Sequence, residues 1–99
     1  MLNIEKKTNG TELSVVLTGR LDTTTAPELE SVIKSSLDDV TTLNIDMEAL
    51  EYISSAGLRV LLSAQKLMNR QGEMKVIHAN ESVTEIFEVT GFSDILNIE

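Results

Sequence analysis

Hydrophobic and polar positions divide the chain into segments of two different periods. Leu2 and Ile4 alternate with Asn3 and Glu5, the mark of a half-exposed strand. Asn9-Gly10 follows, two residues that tolerate positive φ, and then the apolar, β-branched run 13–17. This predicts an antiparallel hairpin that turns at Asn9-Gly10, its second strand ending at Gly19. From Thr25 the period becomes helical. Thr25-Ala26-Pro27-Glu28 has the form of a capping box, with Thr25 as N-cap, Glu28 reaching back and Pro27 in the first turn. Leu29, Val32, Ile33 and Leu37 recur at helical spacing. Asp38-Asp39, unfavourable at the negative end of a helix dipole, marks the stop.

Residues 42–47 (TLNIDM) read as a strand, and the polar stretch 48–51 as a loop with Leu50 turned inward. Residues 55–71 give the clearest helix. Leu58, Leu61, Leu62, Ala64 and Met68 form its apolar stripe, with Arg59, Lys66 and Arg70 on the opposite face. Gly72 suits a left-handed cap after that helix. Residues 74–79 (MKVIHA) read as a further strand, and Asn80 as the cap of a helix carrying Val83, Ile86 and Phe87 that ends at Gly91. Residues 95–98 suit a last short strand. The order β-β-α-β-α-β-α-(β) implies an α/β fold: a mixed, mostly parallel sheet with an N-terminal antiparallel hairpin, flanked by about three helices. With 99 residues and no linker, repeat or low-complexity segment, residues 1–99 read as one domain.

Charge and composition narrow the function. Eight Lys and Arg against sixteen Asp and Glu leave a formal charge of −8, which repels nucleic-acid phosphates and anionic membrane surfaces alike. There is no cysteine, hence no disulfide, thiolate metal site or thiol nucleophile. No apolar run approaches the ~18–20 residues of a membrane span, and the N-terminus lacks a signal-peptide core. The expectation is a cytoplasmic protein that binds neither nucleic acid nor membrane.

Most catalytic arrangements fail on the residues. Neither G-x-x-x-x-G-K-[ST] nor G-x-G-x-x-G occurs. His78, the single histidine, falls near the end of a predicted strand and reads as a partly buried strand residue. Asp38-Asp39 reads as a solvated turn. Ser55-Ala56-Gly57 resembles half of a nucleophile elbow, but Ile53 stands where glycine is required. Without a base, an orienting third group or a metal cluster, a serine hydrolase built on Ser55 is the weaker reading, and no cofactor or metal is expected.

The segment Tyr52-Ile53-Ser54-Ser55-Ala56-Gly57-Leu58 is more informative. After the strand that ends at Met47 and a short loop through Tyr52 and Ile53, two serines stand at the start of the best helix. One role is structural: a serine oxygen capping free backbone N–H groups, worth ~1 kcal/mol. The other is functional. A hydroxyl at a helix N-terminus, beyond the carboxyl ends of parallel strands, lies where open α/β sheets place their sites and where a phosphate is well received. The residues suit a phosphoacceptor rather than a catalyst.

Taken together, Leu17-Thr18-Gly19-Arg20-Leu21-Asp22 with Thr25-Ala26, Leu43-Asn44-Ile45-Asp46-Met47, Leu50 to Leu58, Gly72-Glu73-Met74 and Val89-Thr90-Gly91-Phe92 resemble the bacterial anti-sigma-factor antagonists of the STAS-domain family along nearly the whole chain. The resemblance implies a protein that, unphosphorylated, binds an anti-sigma factor acting as an ATP-dependent serine kinase and so frees a sigma factor. Phosphorylation ends the binding, and a metal-dependent serine phosphatase restores it. By position the phosphoacceptor is Ser55, two residues before Gly57. Asp22 matches a residue beside that serine on the partner surface, which also takes in Ser54, Gly57 and Arg59. Asp22 equally suits a plain turn aspartate. Many family members carry Asp where this chain has Ser54, so a second hydroxyl adjoins the acceptor and Ser54 stays open as the alternative. STAS modules of other systems, such as stress-signalling scaffolds and transport accessories, share much of this pattern and form the rival reading.

Overall fold

The computed structural model describes residues 2–99. Strands β1 (Leu2–Asn9) and β2 (Glu12–Leu21) form the hairpin, paired antiparallel from Leu2↔Gly19 to Asn9↔Glu12. Gly10 at its turn has φ +63°, a conformation glycine adopts without penalty. Helix α1 (Ala26–Ser36) leads to β3 (Thr42–Ile53), helix α2 (Ser55–Gln71) to β4 (Glu73–Ile77), and α3 (Glu81–Thr90) follows. The sheet order is β1-β2-β3-β4, with β3 parallel to both β2 and β4. The α/β fold, the mixed sheet and the three helices are those the sequence predicts.

One face of the sheet is apolar and covered. Leu13, Val15 and Leu17 of β2, Leu43, Ile45 and Met47 of β3, and Met74 and Val76 of β4 are all buried. They share a single core with Leu29 and Ile33 of α1, Leu58, Leu61, Ala64 and Met68 of α2, and Val83 and Phe87 of α3. The alternate residues Ser14, Val16, Asn44, Asp46 and Lys75 stay partly open to solvent. Within the α2 stripe Leu62 is only half-buried, while Val60 and Gln65 are buried.

Several boundaries differ from expectation. β2 does not end at Gly19: it continues to Leu21 through register shifts flanking that glycine, whose φ is +105°. β3 likewise runs through 48–51, which is strand rather than loop, and pairs Arg20↔Tyr52 and Leu21↔Ile53. The burial spacing explains this. Leu43, Ile45 and Met47 alternate, then Leu50 and Ile53 recur every third residue because β3 takes an extra residue at each of the two register shifts against β2. Gly72 is extended, not left-handed, at φ 172°. Glycine is needed there for space, since a Cβ would collide with the Thr41 carbonyl. Asn80 and Gly91 cap α3 as expected, the first by accepting from the Val83 N–H at 2.9 Å, the second at φ +81°. The segment 95–98 makes a single parallel bridge, Val76↔Ile98, after a short 3₁₀ turn at Phe92–Asp94.

Candidate functional site

The carboxyl ends of β2 and β3 lie side by side, and each runs straight into a helix. Their junctions are tied by the Ser54 N–H, which donates to the Leu21 carbonyl at 2.8 Å. Ser54 is the N-cap of α2: its backbone is extended and its hydroxyl accepts from the Gly57 N–H at 3.3 Å. Ser55, the first residue of α2, is exposed, and its hydroxyl has no hydrogen-bond partner among the described residues. The two serines therefore divide the labour. Ser54 serves the helix, and Ser55 is free.

Gly57 is buried beneath them. A Cβ built there would lie 2.7 Å from Leu21 Cγ and 2.9 Å from Ile53 Cγ1. Glycine thus lets the first turn of α2 settle onto the ends of β2 and β3. Its place in the Ser-x-Gly motif is explained by packing, whatever else it does. Arg59, one turn on from Ser55, is exposed. It borders a shallow open groove between the starts of α1 and α2, with Thr23, Pro27, Glu30, Ala56 and Ser63.

Asp22 closes β2 and organises the loop beside Ser54. Its Oδ1 accepts from the Thr24 hydroxyl at 2.8 Å, the Thr24 N–H at 3.0 Å and the Thr25 N–H at 3.1 Å. The Thr24 hydroxyl, helped by the two backbone donors and the Thr25 hydroxyl, holds the Asp22 carboxyl below its ordinary value against a smaller desolvation effect. Thr25 does not form the expected capping box. It occupies the N-cap position of α1, but its side chain makes no capping bond. Its hydroxyl instead donates to the Arg20 carbonyl at 2.9 Å and accepts from the Asp22 N–H at 2.8 Å, and Glu28 remains exposed. A buried threonine finds these partners because the extended β2 brings Arg20 within reach.

Sequence reasoning missed two features. The Arg20 guanidinium lies over the Tyr52 ring, 4.5 Å from its centroid, and Arg20 Nε stands 4.0 Å from Asp22 Oδ2. Only the pairing of the extended strand ends brings these residues together. The second concerns His78, which is not a partly buried strand residue. It follows β4, has φ +58° and an exposed side chain, and its Nδ1 lies 3.1 Å from Asp46 Oδ2. Asp46, Glu48 and His78 bring their ligating atoms within 4.8 Å of one another, a grouping that no spacing along the chain suggests.

The sheet, its three helices and the serine-bearing junction together define a STAS fold. The STAS domain family matches residues 3–99, and the chain belongs to that family. It is 30% identical over 99 residues to the anti-sigma-B factor antagonist of Staphylococcus aureus, covering 98% of this chain and 92% of that protein. It is 28% identical over 98 residues to the anti-sigma-B factor antagonist of Bacillus subtilis, covering 98% and 90%. Among solved structures, an anti-sigma factor antagonist from Mycobacterium paratuberculosis superposes with a TM-score of 0.89 at 24% identity, over 99% of this chain and 85% of that one. The phosphorylated form of the Bacillus cell fate determinant SpoIIAA shares the fold, with a TM-score of 0.75 at 17% identity over 100% and 91% of the two chains. Among the described residues, no helix is long and apolar enough to cross a membrane.

Proposed function

We propose that this chain is an anti-sigma-factor antagonist that works in the cytoplasm as a binding protein rather than an enzyme. In this reading its unphosphorylated form binds an anti-sigma factor serine kinase and releases a sigma factor. Phosphorylation of Ser55 by that kinase, with ATP, ends the binding, and a metal-dependent serine phosphatase reverses it. The observation that carries the proposal is the free, exposed Ser55 hydroxyl beside a Ser54 already engaged as the cap. Asp22, in the loop that follows Leu21, together with Ser54 and Arg59 would supply the polar groups of the partner surface, and Gly57 sets the turn at its depth. The names borne by the Staphylococcus and Bacillus relatives support the same role.

The switch follows from local electrostatics. Phosphoserine adds about −1.5 to −2 charge and three acceptor oxygens. At the positive end of α2 that charge is favourable by about 0.3–1 kcal/mol, so the fold is retained. The cost falls on the complex, where a dianion must be desolvated against a surface shaped for a hydroxyl. Incubation with the kinase and ATP is expected to add one phosphate, located at Ser55 by fragmentation mass spectrometry. Calorimetry should then show affinity for the kinase reduced about a hundredfold, near 2.8 kcal/mol, with circular dichroism unchanged. Modification confined to Ser54, or undiminished binding after phosphorylation, would refute the proposal.

A further inference from the structure

The geometry points to a second site on the opposite, solvent-facing side of the sheet: Asp46, Glu48 and His78 form a binding site for a divalent transition-metal ion of the zinc type. Asp46 lies on β3 beside Ile77 of β4 and projects from the partly open face, between the core residues Ile45 and Met47. β4 ends at Ile77, and the left-handed backbone of His78 brings its ring back over β3. His78 Nδ1 lies 3.1 Å from Asp46 Oδ2 and 3.8 Å from Glu48 Oε2.

The first of those separations is what one ion requires, and the second exceeds it slightly. Zinc sits about 2.0–2.2 Å from imidazole nitrogen and carboxylate oxygen, which puts neighbouring donors roughly 3.0–3.5 Å apart in tetrahedral or octahedral geometry. The Asp46–His78 pair already has that spacing, and Glu48, with 79% of its side chain exposed, is free to close the rest of the distance. The Asp46 carboxylate is already aimed. Its Oδ1 accepts from the Glu48 N–H at 3.0 Å, while Oδ2 faces the imidazole.

Charge supports the same conclusion independently of spacing. No lysine or arginine pairs with Asp46 or Glu48 among the described residues. The nearby Lys75 is engaged by Glu73 and Glu99, each at 3.7 Å. Two carboxylates without a lysine or arginine partner, on a chain of charge −8, concentrate negative potential where an imidazole supplies a borderline-soft donor. One nitrogen and two carboxylate oxygens favour zinc, cobalt, nickel or copper over magnesium and calcium, which prefer all-oxygen shells. The remaining coordination positions are open to water. Asp46 precedes Ile53 by seven strand positions, about 20 Å along β3, so this site is separate from the serine-bearing junction.

Because the chain has a single histidine, the test is unambiguous. Zinc chloride titrated into the full chain should bind one-to-one by calorimetry and shift the ring resonances of His78 in NMR spectra. His78→Ala and Asp46→Asn should each weaken zinc at least tenfold while leaving circular dichroism unchanged. Excess magnesium should not displace the zinc. Absence of saturable binding, an unperturbed His78 ring, displacement by magnesium, or a loss below tenfold in either folded variant would overturn the assignment. None of these measurements involves the kinase, so the outcome is independent of the switch at Ser55.

Discussion

Helices α1 and α2 begin side by side, each after a strand end and each with a hydroxyl residue at the N-cap position, yet they use those residues in different ways. At α2 the cap is conventional: the Ser54 oxygen takes the Gly57 N–H, and Ser55 next to it is left unengaged. At α1 the Thr25 side chain turns away from the helix and binds the Arg20 carbonyl, while Asp22 gathers the loop N–H groups and hydroxyls around Oδ1. One junction uses its polar groups internally; the other keeps one in reserve. A cap motif therefore says where a helix begins, and the partners of the cap decide whether any chemistry remains for a ligand or an enzyme.

Both junctions rest on Leu21, which is fully buried, precedes Asp22 and accepts the Ser54 N–H at its carbonyl. Leu21→Ala should erase the distinction by loosening both, with a loss of ~2–5 kcal/mol in denaturant unfolding. Gly57→Ala should harm α2 selectively. The added methyl meets Leu21 and Ile53 under 3 Å away, and overpacking of this kind costs ~1–3 kcal/mol. An unshifted melting temperature would show that the turn yields more readily than the packing implies.

Ser54→Ala should cost ~1 kcal/mol through the lost cap. If the loss were negligible, the assignment of Ser54 to a structural role would fail. Asp22 supplies a pH test of the other junction. Its folded-state acidity is strengthened, so the charged form adds stability above the unfolded value of 3.8, and that stability is lost as pH falls through the lower folded value. The melting-temperature gap between the native chain and Asp22→Asn should therefore be present at neutral pH and narrow below 3.8. A gap that held or widened in acid would contradict the hydrogen-bonding scheme. Smallest of all, Ser55→Ala should change stability by no more than ~0.5 kcal/mol, as an exposed side chain without partners allows. A larger effect would mean that Ser55 also holds the helix.

The parts legible in the sequence are those decided by near neighbours. Asn9-Gly10 makes a turn wherever two strands flank it, and Ser54 to Gln71 carries its cap and apolar stripe within one segment. The continuation of β3 is of another kind. Past Met47 its inward residues come every third position, a spacing produced by the bulged pairing with β2 and invisible as alternation. Thr25 shows the same limit at the level of one hydroxyl, since Thr-x-x-Glu is identical whether the threonine caps the helix or binds a strand carbonyl. At the candidate site, Ser55 and Asp22 could be picked out by position, but the stack of Arg20 on Tyr52 and the meeting of His78 with Asp46 depend on strand register and on a left-handed turn.

The single bridge between Val76 and Ile98 has a consequence for how the protein avoids its own kind. A sheet of four strands has two borders, each a template on which a second chain can add a strand. Along β4 that template is occupied: the Val76 N–H donates to the Asn97 carbonyl at 2.8 Å, and the Glu99 N–H to the Val76 carbonyl at 2.9 Å. Along β1 the border is exposed, but Glu5, Lys6 and Lys7 put charge where a pairing chain would have to lie. One border is blocked by backbone at Val76 and the other guarded by charge, so neither presents the long, flat, apolar strand from which aggregation spreads.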